Sequence, residues 1–284
     1  MYVGYTPGKE KNFYNTIKNA NSIGATAIQV WTGSPYSNNY SKIESIDAAN
    51  TKKYIEENTI HLISHSPYTI NFARENQIAS QKRLIADLEN NESLGGSGTV
   101  LHTGKNVKTI GQSYKQAEEN FTENIRKVLE NYSGSSYILL ENMCGCGSSM
   151  WCELTPWVNY WNEYPFKDRT RWCIDTAHLY AAGEYDISKK SESLRFYNDF
   201  SEHIGWEYVD CIHFNGSLVG FGAKNDRHAD IDCENSGCIK TKGLRQFARI
   251  AFMNNTPLIL ETPGEISMKR QIDLIKSWNT KNIL

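Results

Sequence analysis

Histidine, aspartate and glutamate recur at the ends of short apolar segments from residue 65 onward. Five of them close or directly follow such a segment, and His213 lies within one, so that six successive segments each carry one: His65, His102, Glu141, Asp175, His213 and Glu261. Three more lie in the stretches that follow two of these segments: His178, Asp226 and His228. Imidazole and carboxylate groups together suit zinc, and manganese or iron also accept them. The set exceeds what one or two ions need and is enough for about three ions with three or four protein ligands each.

A single histidine in an apolar segment is more often a satisfied core or surface residue than a metal ligand. Repetition at successive segment ends makes a shared metal site the better interpretation for the six residues at those positions. Spacing alone supports His178, Asp226 and His228 less strongly. We interpret His61 and His203 as structural residues.

The segments that carry these residues read as β-strands by their length and composition. Eight runs of this kind follow one another: Tyr2–Tyr5, Thr26–Trp31, Ile60–Ser64, Gly98–His102, Ser136–Glu141, Arg171–Asp175, Val209–Phe214 and Pro257–Glu261. Stretches with helical spacing alternate with them: Lys11–Ser22, Ser45–Asn58, Phe72–Leu94, Ser113–Tyr132, Leu154–Tyr164, Ser188–Ile204, Thr241–Asn254 and Ile266–Trp278. The chain therefore repeats one strand–helix unit.

Regular alternation of strand and helix predicts a parallel sheet, and eight repeats without a central change of pattern favour a closed barrel. We expect an α/β protein with a single (β/α)8 TIM-barrel domain over residues 1–284, because such a barrel takes about 250 residues. Barrel enzymes keep their active sites at the carboxyl ends of the strands. The metal cluster should lie there, and the long polar loop 215–240 is expected to be functional.

Composition places further limits on the protein. The net charge of −2 and the pI near 6.4 give no support for nucleic-acid binding. Neither a signal peptide nor an apolar run long enough to span a membrane is evident, so we expect a soluble, intracellular protein with no membrane partner. The 7 cysteines are odd in number and irregularly spaced, which favours reduced thiols. Cys144 and Cys146 are interpreted as packing or bystander thiols and not as zinc ligands.

The segments around these residues resemble the endonuclease IV family of zinc-dependent abasic-site endonucleases, and the likeness covers nearly the whole chain. The matching stretches are 23–31 (IGATAIQVW), 65–71 (HSPYTIN), 101–104 (LHTG), 140–142 (LEN), 173–178 (CIDTAH), 212–215 (IHFN), 226–228 (DRH) and 260–262 (LET). Together these motifs are highly specific, and every ligand position of the family pattern is filled.

The resemblance implies three zinc ions per chain, with Mn²⁺ as an alternative ion. Their ligands would be His65, His102 and a bridging Glu141; Glu141, Asp175, His213 and Glu261; and His178, Asp226 and His228. Glu261 and Glu141 would be the catalytic residues. Tyr68 matches an aromatic residue that helps the family to bend DNA, and Tyr36 and Arg227 are the other expected DNA contacts.

The activity implied by the resemblance is base excision repair. The phosphodiester 5′ to an abasic site in double-stranded DNA would be hydrolysed to a 3′-hydroxyl and a 5′-deoxyribose phosphate, with additional trimming of 3′ ends, by a monomer. The charge of three zinc ions would outweigh that of the four ligand carboxylates, so a mildly acidic protein can still attract DNA at the barrel mouth. Lys105, Lys108, Lys224 and Arg227 would add to this attraction.

Four positions depart from the family pattern. Thr6 stands where the opening Gly-x-His motif has histidine, and Gly216 replaces an acidic residue. Tyr36 occupies a position that is often basic or an amide, and the glycine-rich turn after the third ligand group is degraded at 236–239. These departures concern the loops expected to contact DNA and leave the metal ligands complete.

Two other functions remain open at this point. A sugar isomerase or epimerase on a similar barrel would hold one divalent ion with Glu141, Asp175, His213 and Glu261, which leaves the remaining ligands unexplained. A non-catalytic metal-binding or DNA-binding module would show no turnover, although no ligand is missing. The number of bound ions separates the isomerase from the endonuclease.

Overall fold

The computed structural model describes residues 1–106, 111–233, 239–264 and 267–279. Its central feature is a closed barrel of eight parallel strands. The barrel strands are β1 (Val3–Tyr5), β2 (Ala27–Val30), β3 (His61–His65), β4 (Gly98–His102), β5 (Tyr137–Glu141), β6 (Thr170–Asp175), β7 (Val209–His213) and β10 (Leu258–Leu260). The strands pair in chain order, and β10 closes the barrel by pairing with β7 and β1. The predicted TIM barrel is confirmed.

Helices follow the strands and cover the outside of the barrel. They are α1 (Phe13–Ser22), α2 (Ser45–Asn58), α3 (Ile78–Leu94), α4 (Tyr114–Asn131), α5 (Leu154–Glu163), α6 (Thr176–Ala182), α7 (Lys190–His203), α8 (Thr241–Met253) and α9 (Met268–Ser277). Helix α3 begins at Ile78 and not at Phe72, and α6 was not predicted. Among the described helices, none combines the length and the apolar run that crossing a membrane requires.

The barrel interior is filled by small and branched side chains. One buried cluster contains Ala27, Ile63, Val100, Leu139, Cys173, Cys211 and Ile259. Each comes from a barrel strand, and all are fully buried, so the barrel encloses a packed core and not a channel. Chemistry is therefore confined to the strand ends and the loops around them.

The loop 215–240 contains a short antiparallel pair, β8 (Gly216–Ser217) and β9 (His228–Ala229). The main-chain N–H of Leu218 donates to the carbonyl of Arg227, which closes the pair. Further along the loop, the N–H groups of Gly222 and Lys224 donate to the carbonyls of Tyr180 and Ala181 in α6. The described part of this loop is thus fixed against the barrel mouth.

The cysteines divide into two kinds. Cys144, Cys146, Cys152, Cys173 and Cys211 are free thiols, as expected. Cys233 is disulfide-bonded, so the expectation of reduced thiols was wrong for this residue. The irregular spacing of the cysteines gave no sign of a disulfide at Cys233.

Candidate metal centre

The ligand candidates converge at the carboxyl end of the barrel. His65, His102, Glu141, Asp175 and His213 are the last residues of five consecutive strands, β3 to β7. Glu261 directly follows β10, His178 lies in α6, Asp226 lies two residues before β9 and His228 begins that strand. Since parallel strands of a barrel end at the same face, one architectural rule brings together residues that are far apart in the chain.

Three groups of side chains offer ligand atoms that lie within 4.8 Å of one another. They are His65, His102 and Glu141; Glu141, Asp175, His213 and Glu261; and Asp175, His178 and His228. Glu141 belongs to two groups, as expected. Asp175 also belongs to two, whereas the sequence placed it in one. The groups therefore form one connected cluster.

Glu141 lies at the centre of the cluster and is almost fully buried. Its Oε2 lies 3.3 Å from His65 Nε2 and 3.0 Å from His102 Nε2, and its Oε1 lies 3.0 Å from His213 Nδ1. Burial alone would raise the pKa of this carboxyl, but His213 and His102 hold the pKa well below its usual range. Glu141 is therefore ionised and can bridge two cations.

The third group joins α6 to the long loop through Asp226. One carboxylate oxygen of Asp226 lies 3.2 Å from His178 Nε2 and the other 3.1 Å from His228 Nε2. Neither buried Nε2 makes a hydrogen bond. Two imidazole nitrogens that face carboxylates without bonding to them fit a position between the side chains that a cation would fill.

Main-chain carbonyls fix which ring nitrogen faces the cluster. The Nδ1 atoms of His65, His178 and His228 lie 2.6, 2.7 and 3.2 Å from the carbonyl oxygens of Ser66, Asn142 and Glu261. A carbonyl only accepts, so each Nδ1 carries the proton and each Nε2 is free to bind a metal. This arrangement of outer partners is typical of metal-binding histidines.

In His213 the two ring nitrogens exchange roles, so that Nδ1 and not Nε2 faces the cluster. Its Nε2 lies 2.7 Å from Gln29 Oε1, and its Nδ1 faces Glu141 and Glu261. Burial lowers the pKa of His213, but Glu261 and Glu141 outweigh it and raise the pKa to about 10. Likewise, Asp175 and Asp226 overcome burial and raise the pKa of His228 to about 9. The carboxylates thus create a place where positive charge is strongly favoured.

Three amide side chains hold the carboxylates in position, and the sequence analysis did not assign them to the site. Gln29 Nε2 donates to Glu261 Oε1 at 2.6 Å. Asn215 Nδ2 donates to Asp175 Oδ2 at 2.7 Å, and Asn142 Oδ1 accepts from the main-chain N–H of Asp175 at 2.7 Å. Gln29 could have been noticed because it is a polar residue within an otherwise apolar strand, β2, which is buried at every position.

An aromatic rim of Trp31, Tyr36 and Tyr68 borders the cluster. The Tyr68 ring centroid lies 5.7 Å from that of His65 and 5.4 Å from that of His102. Tyr36 lies 6.1 Å from Tyr68, and the exposed fractions of the two are 77% and 51%. Tyr68 combines an exposed ring with closeness to the ligands, and Tyr36 adds a second exposed ring beside it, as a surface that stacks against a substrate requires.

Trp151 lies in the loop after β5, on the face of the ligands, but it is not part of the aromatic rim. It is 1% exposed, its ring centroid lies 4.1 Å from that of Tyr160, and its Nε1 donates to Glu118 at 3.1 Å. The loop after β5 turns inward at this point, because Met150 carbonyl accepts from the hydroxyl of Thr103. Trp151 therefore belongs to the core.

The basic residues near the mouth are exposed. Arg227 lies between Asp226 and His228 in the loop, and Lys105 and Lys224 are also exposed. Lys108 and 236–238 lie outside the described residues. The structure thus leaves Arg227 accessible to a negatively charged substrate.

Relatives of the chain identify its family. The family model described as a xylose isomerase-like TIM barrel matches residues 17–278. The "Probable endonuclease 4" of Symbiobacterium thermophilum is 31% identical over 267 residues, which cover 93% of each chain. The chain belongs to the endonuclease IV family. Membership makes it a nuclease of DNA repair, and the clustered ligand groups fit the metal binding that the sequence predicts.

Solved structures share the barrel more widely than they share the family. Endonuclease IV from Thermus thermophilus superposes with a TM-score of 0.83 at 23% identity, covering 98% of both chains. A D-tagatose 3-epimerase-like protein superposes with a TM-score of 0.69 at 12% identity, covering 98% of this chain and 97% of its own. Since sugar epimerases share the fold, the distinction between an endonuclease and an isomerase depends on the site.

Proposed function

We propose that this member of the endonuclease IV family hydrolyses the phosphodiester 5′ to an abasic site in double-stranded DNA. The products are a 3′-hydroxyl and a 5′-deoxyribose phosphate, and we include trimming of 3′ ends in the proposal. The observation that supports it best is the cluster of three ligand groups. A sugar isomerase needs only the group around Glu141, Asp175, His213 and Glu261, whereas here a complete set surrounds that group.

We further propose zinc as the resident metal, with Mn²⁺ as an alternative and three ions per chain. The first ion would take His65, His102 and Glu141; the second Glu141, Asp175, His213 and Glu261; and the third His178, Asp226 and His228, with Asp175 adjacent. All ligands come from one chain, so a monomer would be a complete enzyme. When bound, such ions activate water at neutral pH and neutralise charge on the phosphate.

Two carboxylates have separate tasks in this proposal. Glu141 is 1% exposed and accepts contacts on both oxygens, so it holds the cluster together. Glu261 follows β10, and its side chain is 15% exposed. Gln29 fixes one oxygen of Glu261, and the other, which faces His213 and Asn215, would orient the attacking water. The fixed orientation avoids reorganisation during the reaction.

Selection of damaged DNA follows from the cost of extruding a nucleotide. An abasic nucleotide has no base to unstack or unpair, so its extrusion costs less than that of an intact one. Tyr68 and Tyr36 offer exposed rings that can stack against the neighbouring bases, and Arg227 can contact a phosphate. The aromatic rim would thereby keep the gap in the duplex open.

We expect Tyr68→Ala to raise the KM for an abasic duplex about tenfold, because stacking on one aromatic ring is worth about 1–3 kcal/mol per base. Steady-state kinetics on a duplex with one abasic site would measure it. Tyr68→Phe is the matched control, since it keeps the ring and should keep a near-normal KM. A normal KM for Tyr68→Ala at unchanged metal content would remove Tyr68 from the DNA-binding surface.

The proposed function is tested by metal content and cleavage measured on one preparation. Mass spectrometry should find about three zinc ions per chain, the number that the three ligand groups predict. The same preparation should place a single nick on the 5′ side of the abasic site. One ion per chain with no nicking would instead favour a sugar isomerase or epimerase on this barrel.

A further inference from the structure

The segment between β2 and α2 carries Tyr36 and is held against α3 along its whole length. Arg83, Asp87 and Asn90 project from one face of α3, since residues four and seven positions apart lie on the same side of a helix. All three side chains are buried. Each bonds to the segment from residue 32 to residue 43, which has no regular secondary structure. The helix therefore supplies the order that the segment lacks.

Arg83 forms hydrogen bonds with the main chain on both sides of Tyr36 in the sequence. Its Nη1 donates to the carbonyl oxygens of Ser34 at 3.1 Å, Ser37 at 2.5 Å and Asn39 at 2.8 Å. Ser34 precedes Tyr36 by two residues, and Ser37 follows it directly. One guanidinium nitrogen thus fixes the main chain before and after the exposed ring.

The other contacts of the helix extend this hold to both ends of the segment. Asp87 accepts from Arg83 Nε at 2.8 Å and from the Thr32 hydroxyl. Asn90 accepts from the main-chain N–H of Ile43 at 3.3 Å and donates to the Ser41 carbonyl at 3.0 Å. The segment is consequently anchored near its start, its middle and its end.

Stability alone is a poor explanation for this arrangement. Arg83 and Asp87 are both 0% exposed, and a buried ion pair often contributes no more than well-packed apolar residues would. Arg83 Nη2 has no hydrogen-bond partner, so the guanidinium is oriented by Asp87 through Nε and by the carbonyls that Nη1 meets. The planar guanidinium of Arg83 instead fixes the main-chain geometry of the segment 32–43.

The anchored segment reaches the aromatic rim directly. The main-chain N–H of Tyr68 donates to the carbonyl of Pro35 at 3.0 Å, next to Tyr36. The hydroxyl of Thr69 donates to Asn38 Oδ1 at 3.1 Å. A shift of the segment would therefore move Tyr36 relative to Tyr68.

We propose that Arg83 is a positioning residue that sets the place of Tyr36 at the aromatic rim and thereby the strength of DNA engagement. The inference rests on the proposed function, since it takes Tyr36 to contact DNA. Arg83 itself is 0% exposed, so it lies out of reach of a bound DNA. Its effect should appear in KM and not in kcat.

A double-mutant cycle on the metal-loaded enzyme tests the proposal. Arg83→Lys keeps a positive charge opposite Asp87 but cannot reproduce the fork, and Tyr36→Ala removes the ring. We expect each to raise the KM for the abasic duplex about tenfold, the effect of losing one stacking contact, with kcat unchanged. The double variant should raise KM no further. Independent, multiplying effects would overturn the proposal, and Lys82→Arg on the exposed side of α3 is the matched control.

Hydrogen exchange on the same variants, without DNA, tests the anchor separately. The amides of residues 32–43 should exchange faster in Arg83→Lys than in the wild type and in Tyr36→Ala. Unchanged exchange would overturn the anchoring role, and faster exchange with a normal KM would overturn the positioning role. A wild-type protein that cleaves no abasic duplex would overturn the proposed function. Because hydrogen exchange is measured without DNA, it still shows in that case whether Arg83 anchors the segment. Asn90→Ala frees the segment without touching a charge and gives the same test should Arg83→Lys not fold.

Discussion

We expect Glu261→Gln to lower kcat on an abasic duplex about 100-fold or more while the fold stays intact, as removal of one preorganised polar group does in other active sites. Glutamine has the shape of glutamate and can keep the contact with Gln29, which lies 2.6 Å from Glu261 Oε1. It lacks the charge that faces His213 Nδ1 at 3.1 Å. Pre-steady-state cleavage of a duplex with one abasic site would measure the loss.

Glu207→Gln is the matched control for this substitution. Glu207 lies in the short turn before β7, at the amino end of that strand and thus at the opposite face of the barrel. The same chemical change at that end should leave cleavage and metal content unaltered. Near-normal cleavage by Glu261→Gln would sink the catalytic role of Glu261, and equal losses in both variants would point to a general effect on the fold.

Gly4→Ala should destabilise the protein by about 3 kcal/mol or more, since an added methyl has no room where backbone cannot move. A Cβ at Gly4 would lie 1.7 Å from the carbonyl oxygen of Ala27 and 3.1 Å from the Ala25 side chain. Gly4 pairs with Ala27 across β1 and β2, so relief would require the two strands to separate. Urea unfolding monitored by circular dichroism would measure the change.

Gly8→Ala is the corresponding control in the same part of the chain. A Cβ at Gly8 would meet no heavy atom within 4 Å. Its effect on the free energy of unfolding should stay within about 0.5 kcal/mol, as for other surface substitutions. Equal stability of Gly4→Ala and Gly8→Ala would show that the β1–β2 contact is less restrictive than the structure indicates.

The barrel could be predicted from the sequence because each strand is a short apolar run with clear boundaries. The prediction placed the ends of the fourth, fifth and sixth strands at His102, Glu141 and Asp175, and the structure confirms these ends. It placed His65 just after its strand, whereas β3 includes it. This difference of one residue does not matter for the site, because His65 still lies at the carboxyl end of the barrel.

Helix α6 could not be found by periodicity. Every residue from Thr176 to Ala182 is buried, so the helix has no polar face to set against an apolar one. It also begins directly at the end of β6, where Asp175 caps it by accepting from the N–H of His178. A metal-ligand candidate therefore doubles as a helix cap, a role that pattern reading did not assign.

The start of α3 was predicted too early for a related reason. Phe72 and Ala73 are buried like residues of an amphipathic helix, but they lie in turns before Ile78. Asn71 shapes these turns by accepting from the N–H groups of Ala73 and Lys105. A side chain that bonds to the main chain in this way competes with helix formation.

Within the site, the candidate metal ligands were easier to predict than the residues that hold those ligands in position. The metal-binding interpretation rested on chemistry visible in single residues such as His102 and Glu141. The partners that orient the ligands, such as Gln29 for Glu261 and Asn215 for Asp175, come from distant parts of the chain, and only the folded barrel shows which atoms they meet. The anchoring of Tyr36 by Arg83 likewise joins residues far apart in the chain and has no local pattern.

Because β10 closes the barrel, the ligand groups become complete at different stages of translation. His65, His102 and Glu141 emerge early in translation, whereas Glu261 follows the last barrel strand. That strand must pair with β1, where Leu258 meets Val3, before Glu261 can face Asp175 and His213. A chain that lacks β10 can thus contain the first ligand group but not the complete centre, so the capacity to cut DNA would be acquired only after β10 has been synthesised and has paired.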